Sequence, residues 1–251
     1  MSKKTLVPML LLLAVASFIQ AQSPQAPPQP APLPFKEEKV GNFQIGAGGA
    51  TVAKVEGAFV GTPLTIDEAF TTKHENGPPS ASFKLIVPKG ADVRFLPGGK
   101  KTGTPELLKL TLPNADATKA VEIVRFVNLT VPMGAKEARD QVVANLLKNK
   151  VFPMVTNGYE QAKPLDLYAT KVGAYDAVSM HLEMTKPGSG EVYLVKAIAI
   201  LHPNQPGSVM AVVMADNKLS EVKAVDDLQS KGFAMKVIHS LKFLDESAGK
   251  Q

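Results

Sequence analysis

Cysteine is absent from all 251 residues. That excludes disulfides and thiolate chemistry, and with them lipid anchoring through an N-terminal cysteine. No stretch after residue 21 is apolar enough to span a bilayer. The formal charge of +5 is mild and evenly spread, without the basic stripe and interleaved aromatics of a nucleic-acid binder. Pairs such as Lys100 and Lys101 read as solvated faces. There is no Gly-x-Ser-x-Gly elbow, and Ser189 sits between glycines in a tight turn. The four histidines, His74, His181, His202 and His239, are far apart and lack the spacing that puts two ligands on one face.

What is present begins with MSKKTLVPMLLLLAVASFIQA. Lys3 and Lys4 precede an apolar run from Leu6 to Ile19, and Ala21 is small enough for cleavage, with Ser17 as the alternative site. This is the pattern of a cleavable signal peptide over residues 1–21. The run contains Pro8 and is short for a membrane anchor. The expectation is an exported protein, periplasmic or extracellular, with no membrane span after cleavage. Loss of Lys3 and Lys4 lowers the charge from +5 to +3.

Residues 22–34 alternate Pro with Gln and Ala and carry no charge. They read as a semi-rigid linker, the alternative being a docking segment for a Pro-recognising groove. A single α+β domain is expected over residues 35–246, followed by a polar tail at 247–251. Residues 43–70 suggest short strands and turns, and TTKHENGPPS at 71–80 reads as a loop. SFKLIVP and ADVRFLP are strand-like around a turn at residues 88–90. LLKLTLP and AVEIVRFVNLTVP follow as strands.

The segment from Gly134 to Lys150 is the clearest helix, with Ala135, Ala138, Val142, Val143, Leu146 and Leu147 as its apolar face. Four strands come next, LDLYATKV, YDAVSMHLEMT, EVYLVKAIAIL and SVMAVVMA, joined by short turns as an antiparallel meander. The last two are apolar on both faces and should lie centrally. A second helix is expected between Leu219 and His239, with Gly232 as a weak point, and SLKFL closes the domain. The fold class is therefore α+β, a mainly antiparallel sheet with helices packed over it.

Three stretches, VRFVNLTVPMGAKEARDQVVANLL, AIAILHPNQPGSVMAVVMA and FAMKVIHSLKFLD, make the chain resemble the PsbP-like superfamily over about residues 82–245. The ending Ser240, Leu241, Lys242, Phe243 matches that family's closing pattern. The resemblance implies an α-β-α sandwich and a non-enzymatic role in binding or assembly, and it carries over no site residue.

Individual motifs have structural readings. Gly46-Ala47-Gly48-Gly49 lacks the third glycine of a dinucleotide fingerprint, since Thr51 stands there, and reads as a turn. Asp226 and Asp227 would point about 100° apart on a helix and read as solvated charges. Asn128-Leu129-Thr130 is a glycosylation sequon inside an expected strand. His181 shares a strand face with Ser179 and Glu183 and reads as a surface histidine, while His202 reads as a turn residue.

No catalytic, cofactor-binding or metal-ligating residue is assigned, no cofactor is expected, and nucleic acid is excluded as a partner. The function expected is an exported, non-catalytic binding or assembly domain with a protein partner in the cell envelope. The alternative is a periplasmic carrier of a small apolar ligand, suggested by Met154, Met180, Met184, Met210, Met214 and Met235. An unrecognised hydrolase is the second alternative.

Overall fold

Ten strands and four helices form three layers in a computed structural model that describes residues 59–74, 77–95, 106–113 and 120–244. The signal peptide, the Pro-rich linker, the glycine string at 46–49 and the polar tail expected from the sequence lie outside these residues. All described residues belong to one compact unit.

The middle layer is a seven-stranded antiparallel sheet built from β3 (Asp92–Phe95), β4 (Glu106–Pro113), β5 (Ala120–Thr130), β6 (Glu160–Val172), β7 (Tyr175–Thr185), β8 (Val192–Ile200) and β9 (Gly207–Asp216). Its order is β3-β4-β5-β9-β8-β7-β6. The expected meander from β6 to β9 is present, and its last strand returns to pair with β5 from Glu122 opposite Ala215 to Thr130 opposite Gly207. As expected, β8 and β9 lie inside the sheet with both faces covered. The outer strand β6 is interrupted by two register shifts around Lys163 and Pro164, devices that discourage further edge pairing.

One face of the sheet is covered by α2 (Lys136–Leu146), which runs on through a π-helical turn at Leu147–Val151 into α3 (Phe152–Thr156). Val143, Leu147 and Val151 pack there on Val178, Met180, Leu182, Val195 and Met210. The apolar spacing predicts the end of this helix at Lys150. It continues to Thr156 because Val151 and Val155 extend the same packed stripe.

The other face carries a second sheet, β1 (Gly61–Ile66), β2 (Phe83–Pro88) and β10 (Lys242–Phe243), in the order β1-β2-β10. With it lies α4 (Gly232–His239), and Phe83, Leu85, Met235 and Ile238 meet Phe126, Ile198, Ala211 and Val213 of the main sheet. SFKLIVP and ADVRFLP are therefore not neighbours in one sheet: they separate into β2 and β3. The closing strand pairs with β2, Phe243 opposite Phe83.

Residues 71–73, read as loop, end a short helix α1 (Glu68–Lys73) that starts where Asp67 Oδ1 accepts the Phe70 N–H at 2.8 Å. The second expected helix is split into a 3₁₀ turn at Val225–Gln229 and α4, so Gly232 opens a helix instead of weakening one.

Candidate functional site

The helical layer breaks a local rule. Residues four apart lie on one side of a helix, and the series Val143, Leu147, Val151, Val155 faces the sheet. A spacing of four is slightly long for an α-helix, and the wider π turn absorbs the excess. The first member of that series is Arg139, which is only 8% exposed. The neighbouring series, one residue earlier, contains Ala138, Val142, Leu146, Lys150 and Met154. Val142 is 46% exposed and Met154 57% exposed.

The expected apolar face is thus corrected. Ala135, Ala138 and Val142 are exposed, while Arg139 and Asp140 are buried with Val143, Ala144 and Leu147. Packing of Leu147 and Val151 fixes the rotation, and the first turn of the helix follows it.

Arg139 Nη1 donates to the carbonyl of His202 at 3.0 Å, while its Nε and Nη2 are buried without a hydrogen-bond partner. Asp140 is held by Lys136, four residues earlier, whose pKa that hydrogen bond raises. The turn after β8 is pinned: His202 N donates to Ser208 Oγ at 3.2 Å, and Val131 N donates to Pro206 O at 2.8 Å. Gln205 Nε2, in the same turn, is also buried without a partner. His202 is a turn residue as expected, but a buried one, its ring 4.7 Å from that of Phe243.

On the opposite face, register sets Asp166, His181 and Lys196 side by side across β6, β7 and β8. His181 Nδ1 lies 2.9 Å from Asp166 Oδ1, close but not aligned as a hydrogen bond. Lys196 Nζ donates to Leu228 O at 3.1 Å, and burial pushes its pKa down to about 8. Burial also lowers His181, and it raises the Tyr168 hydroxyl to about 12. His181 is completely buried, contrary to the surface reading, because the 3₁₀ turn and α4 cover the face it shares with Ser179.

Further along that face, Glu122 of β5 reaches the start of α4 and accepts the Ala234 N–H at 2.7 Å. Burial raises its pKa to about 7, against the lowering effect of its backbone hydrogen bonds. Gly232 has φ +80°, and a Cβ there would stand 2.3 Å from Glu122 Oε1.

The remaining sequence features stay local. His74 stacks on Phe95 at 3.9 Å, Ser189 Oγ accepts the Glu191 N–H, and Asp227 accepts the N–H groups of Lys223 and Ala224. Asn128 ties β5 to the segment before β2 through Ser80 N and Pro78 O. Met180, Met184 and Met210 belong to the packed core beneath α2. Among the described residues, no three His, Asp or Glu side chains come together as metal ligands, and no helix is long and apolar enough to cross a membrane.

No protein-family model matches the chain, and no curated protein does. Among solved structures it is similar to the cyanobacterial PsbP of Synechocystis sp. PCC 6803, at 10% identity over 76% of this chain and 98% of that one, with a TM-score of 0.42. It is also similar to the Ran-binding protein Mog1p of Saccharomyces cerevisiae, at 10% identity over 75% and 98%, TM-score 0.40. A third is LpqN of Mycobacterium tuberculosis, involved in cell envelope biogenesis, at 17% identity over 72% and 90%, TM-score 0.38.

Proposed function

We propose that this chain is an exported, non-catalytic domain that binds or helps assemble a protein partner in the cell envelope, and that the outer flank of α2 and α3 is its contact surface. One observation carries the reading: the helix buries Arg139 and Asp140 while leaving Val142 and Met154 to solvent. Burying charge and exposing apolar side chains on one helix is a local conflict of the kind that functional surfaces retain. The basic start and apolar run of residues 1–21 support export, and the uncharged Pro-rich stretch that follows suits a tether.

The test is a photo-crosslinking amino acid introduced in cells at position 142, with position 171 on β6 as the control. A partner joined stoichiometrically from 142 and not from 171 is the expected result. Equal, diffuse labelling from both positions would overturn the reading.

A further inference from the structure

The partner's chemistry follows from Arg139, and this step rests on the contact surface proposed above. Arginine stays charged at every physiological pH and offers a fixed fork of donors. Buried donors are nearly always satisfied, and a charged one left bare is costly. Lys196 and Glu122, buried on the opposite face, each have a hydrogen-bond partner, Leu228 O and Ala234 N. His181 lies 2.9 Å from Asp166 without hydrogen-bond alignment, but burial favours its neutral form, a route closed to an arginine. Arg139 has one acceptor, the His202 carbonyl on Nη1, and no carboxylate within ion-pair distance among the described residues.

Its two unpartnered atoms, Nε and Nη2, are the pair on one edge of the guanidinium, which matches the two oxygens of a carboxylate. Asp140, the adjacent acid, is engaged by Lys136 instead. Arg139 and Val142 stand three residues apart and are therefore neighbours on the helix surface. The turn that supplies its one acceptor also carries the bare amide of Gln205, with Pro203, Asn204 and Pro206 exposed around it. A buried cationic fork beside an exposed apolar stripe is complementary to an acidic side chain flanked by apolar ones.

We propose that the partner docking on this helix presents a carboxylate, from an Asp or Glu side chain, that seats on the Nε–H and Nη2–H of Arg139 and completes its hydrogen bonding. Both atoms are buried in the unbound protein, so seating the carboxylate requires the turn at residues 203–206 to move away from them.

Two measurements on the full chain test this. In the first, the Nε–H resonance of Arg139 is followed by NMR while sodium acetate replaces sodium chloride at constant ionic strength. A saturable shift with acetate, not produced by chloride, is expected. No shift, or the same shift with both salts, overturns the carboxylate assignment. In the second, capture from position 142 is compared in wild type and Arg139→Lys, which keeps a charged donor for the His202 carbonyl but loses the fork. Capture should fall about tenfold or more at unchanged melting temperature, and the joined partner peptide should contain an Asp or Glu whose amide replacement has the same effect. Capture that survives Arg139→Lys removes the partner as the carboxylate's source, even where acetate binds. Absence of any capture sinks the contact surface itself, while the acetate titration still decides whether the fork takes a carboxylate.

Discussion

Replacing Glu122 by glutamine should stabilise the protein by an amount that grows with pH. The carboxyl is 2% exposed, sits between β5 and the first turn of α4, and accepts the Ala234 N–H. Burial raises its pKa from 4.5 to about 7, its backbone hydrogen bonds and Lys236 acting the other way and Glu221 adding slightly. A carboxyl raised on folding holds its proton more tightly in the native state. Its contribution is fully present below 4.5 and is lost as pH rises through about 7. Each pH unit is worth about 1.4 kcal/mol, so the ceiling on that loss is about 3 kcal/mol. Glutamine is neutral at both ends and its amide oxygen still accepts from Ala234. Urea unfolding at about pH 5 and about pH 8 should therefore show Glu122→Gln within about 1 kcal/mol of wild type at the lower pH and up to about 3 kcal/mol more stable at the higher. The two histidines lowered by burial, His181 and His239, titrate equally in both proteins and cancel in the difference. A variant less stable than wild type at the higher pH would refute the reasoning, since the helix terminus would then be favouring the carboxylate more than burial opposes it.

Lys196→Met should raise stability near neutral pH, because a buried lysine whose pKa has fallen to about 8 opposes folding while it is charged. In wild type that cost is relieved as pH rises above about 8, and the methionine variant should lose this rise in urea melts. Leu147→Ala should cost about 2–5 kcal/mol and Val142→Ala no more than about 0.5 kcal/mol, measured by denaturant midpoints. Similar costs for the two would contradict the observed rotation of α2.

The main sheet was readable because its strands are long, patterned and joined by short turns, as in YDAVSMHLEMT running into EVYLVKAIAIL. The small sheet was not, since its pairings join residues far apart: Phe83 meets Phe243, and no local pattern encodes that distance. Alternation placed Ser179 and His181 on one face correctly, but it does not say whether another layer covers that face. Lys196 gives no signal inside an apolar run, where its aliphatic stem packs like a hydrophobic side chain. For α2, the apolar residues Ala135, Ala138, Val142, Val143, Leu146 and Leu147 span two flanks, of which Val143 and Leu147 are buried while Ala135, Ala138 and Val142 are exposed. The signal for the true face was the four-residue series of Val143, Leu147, Val151 and Val155, which becomes a continuous stripe only when a π turn is allowed.

Two of the buried charges have a shared structural cause. The segment from Val225 to His239 is broken between its 3₁₀ turn and α4, which leaves backbone groups without helical partners on either side of the break. Lys196 donates to the carbonyl of Leu228 before it, and Glu122 accepts the N–H of Ala234 after it. The main sheet thus tethers this layer with a cation at one side of the break and a carboxyl at the other. The cost of ionising Glu122 grows as pH rises toward about 7, and that of charging Lys196 persists until pH rises past about 8, so the two are large together around neutral to mildly basic pH. The layer over this face should therefore be held least firmly there. Arg139 has no such role: its Nη1 meets a single carbonyl, and the rest of its fork serves no break in the chain. That contrast is what the proposed partner carboxylate would account for.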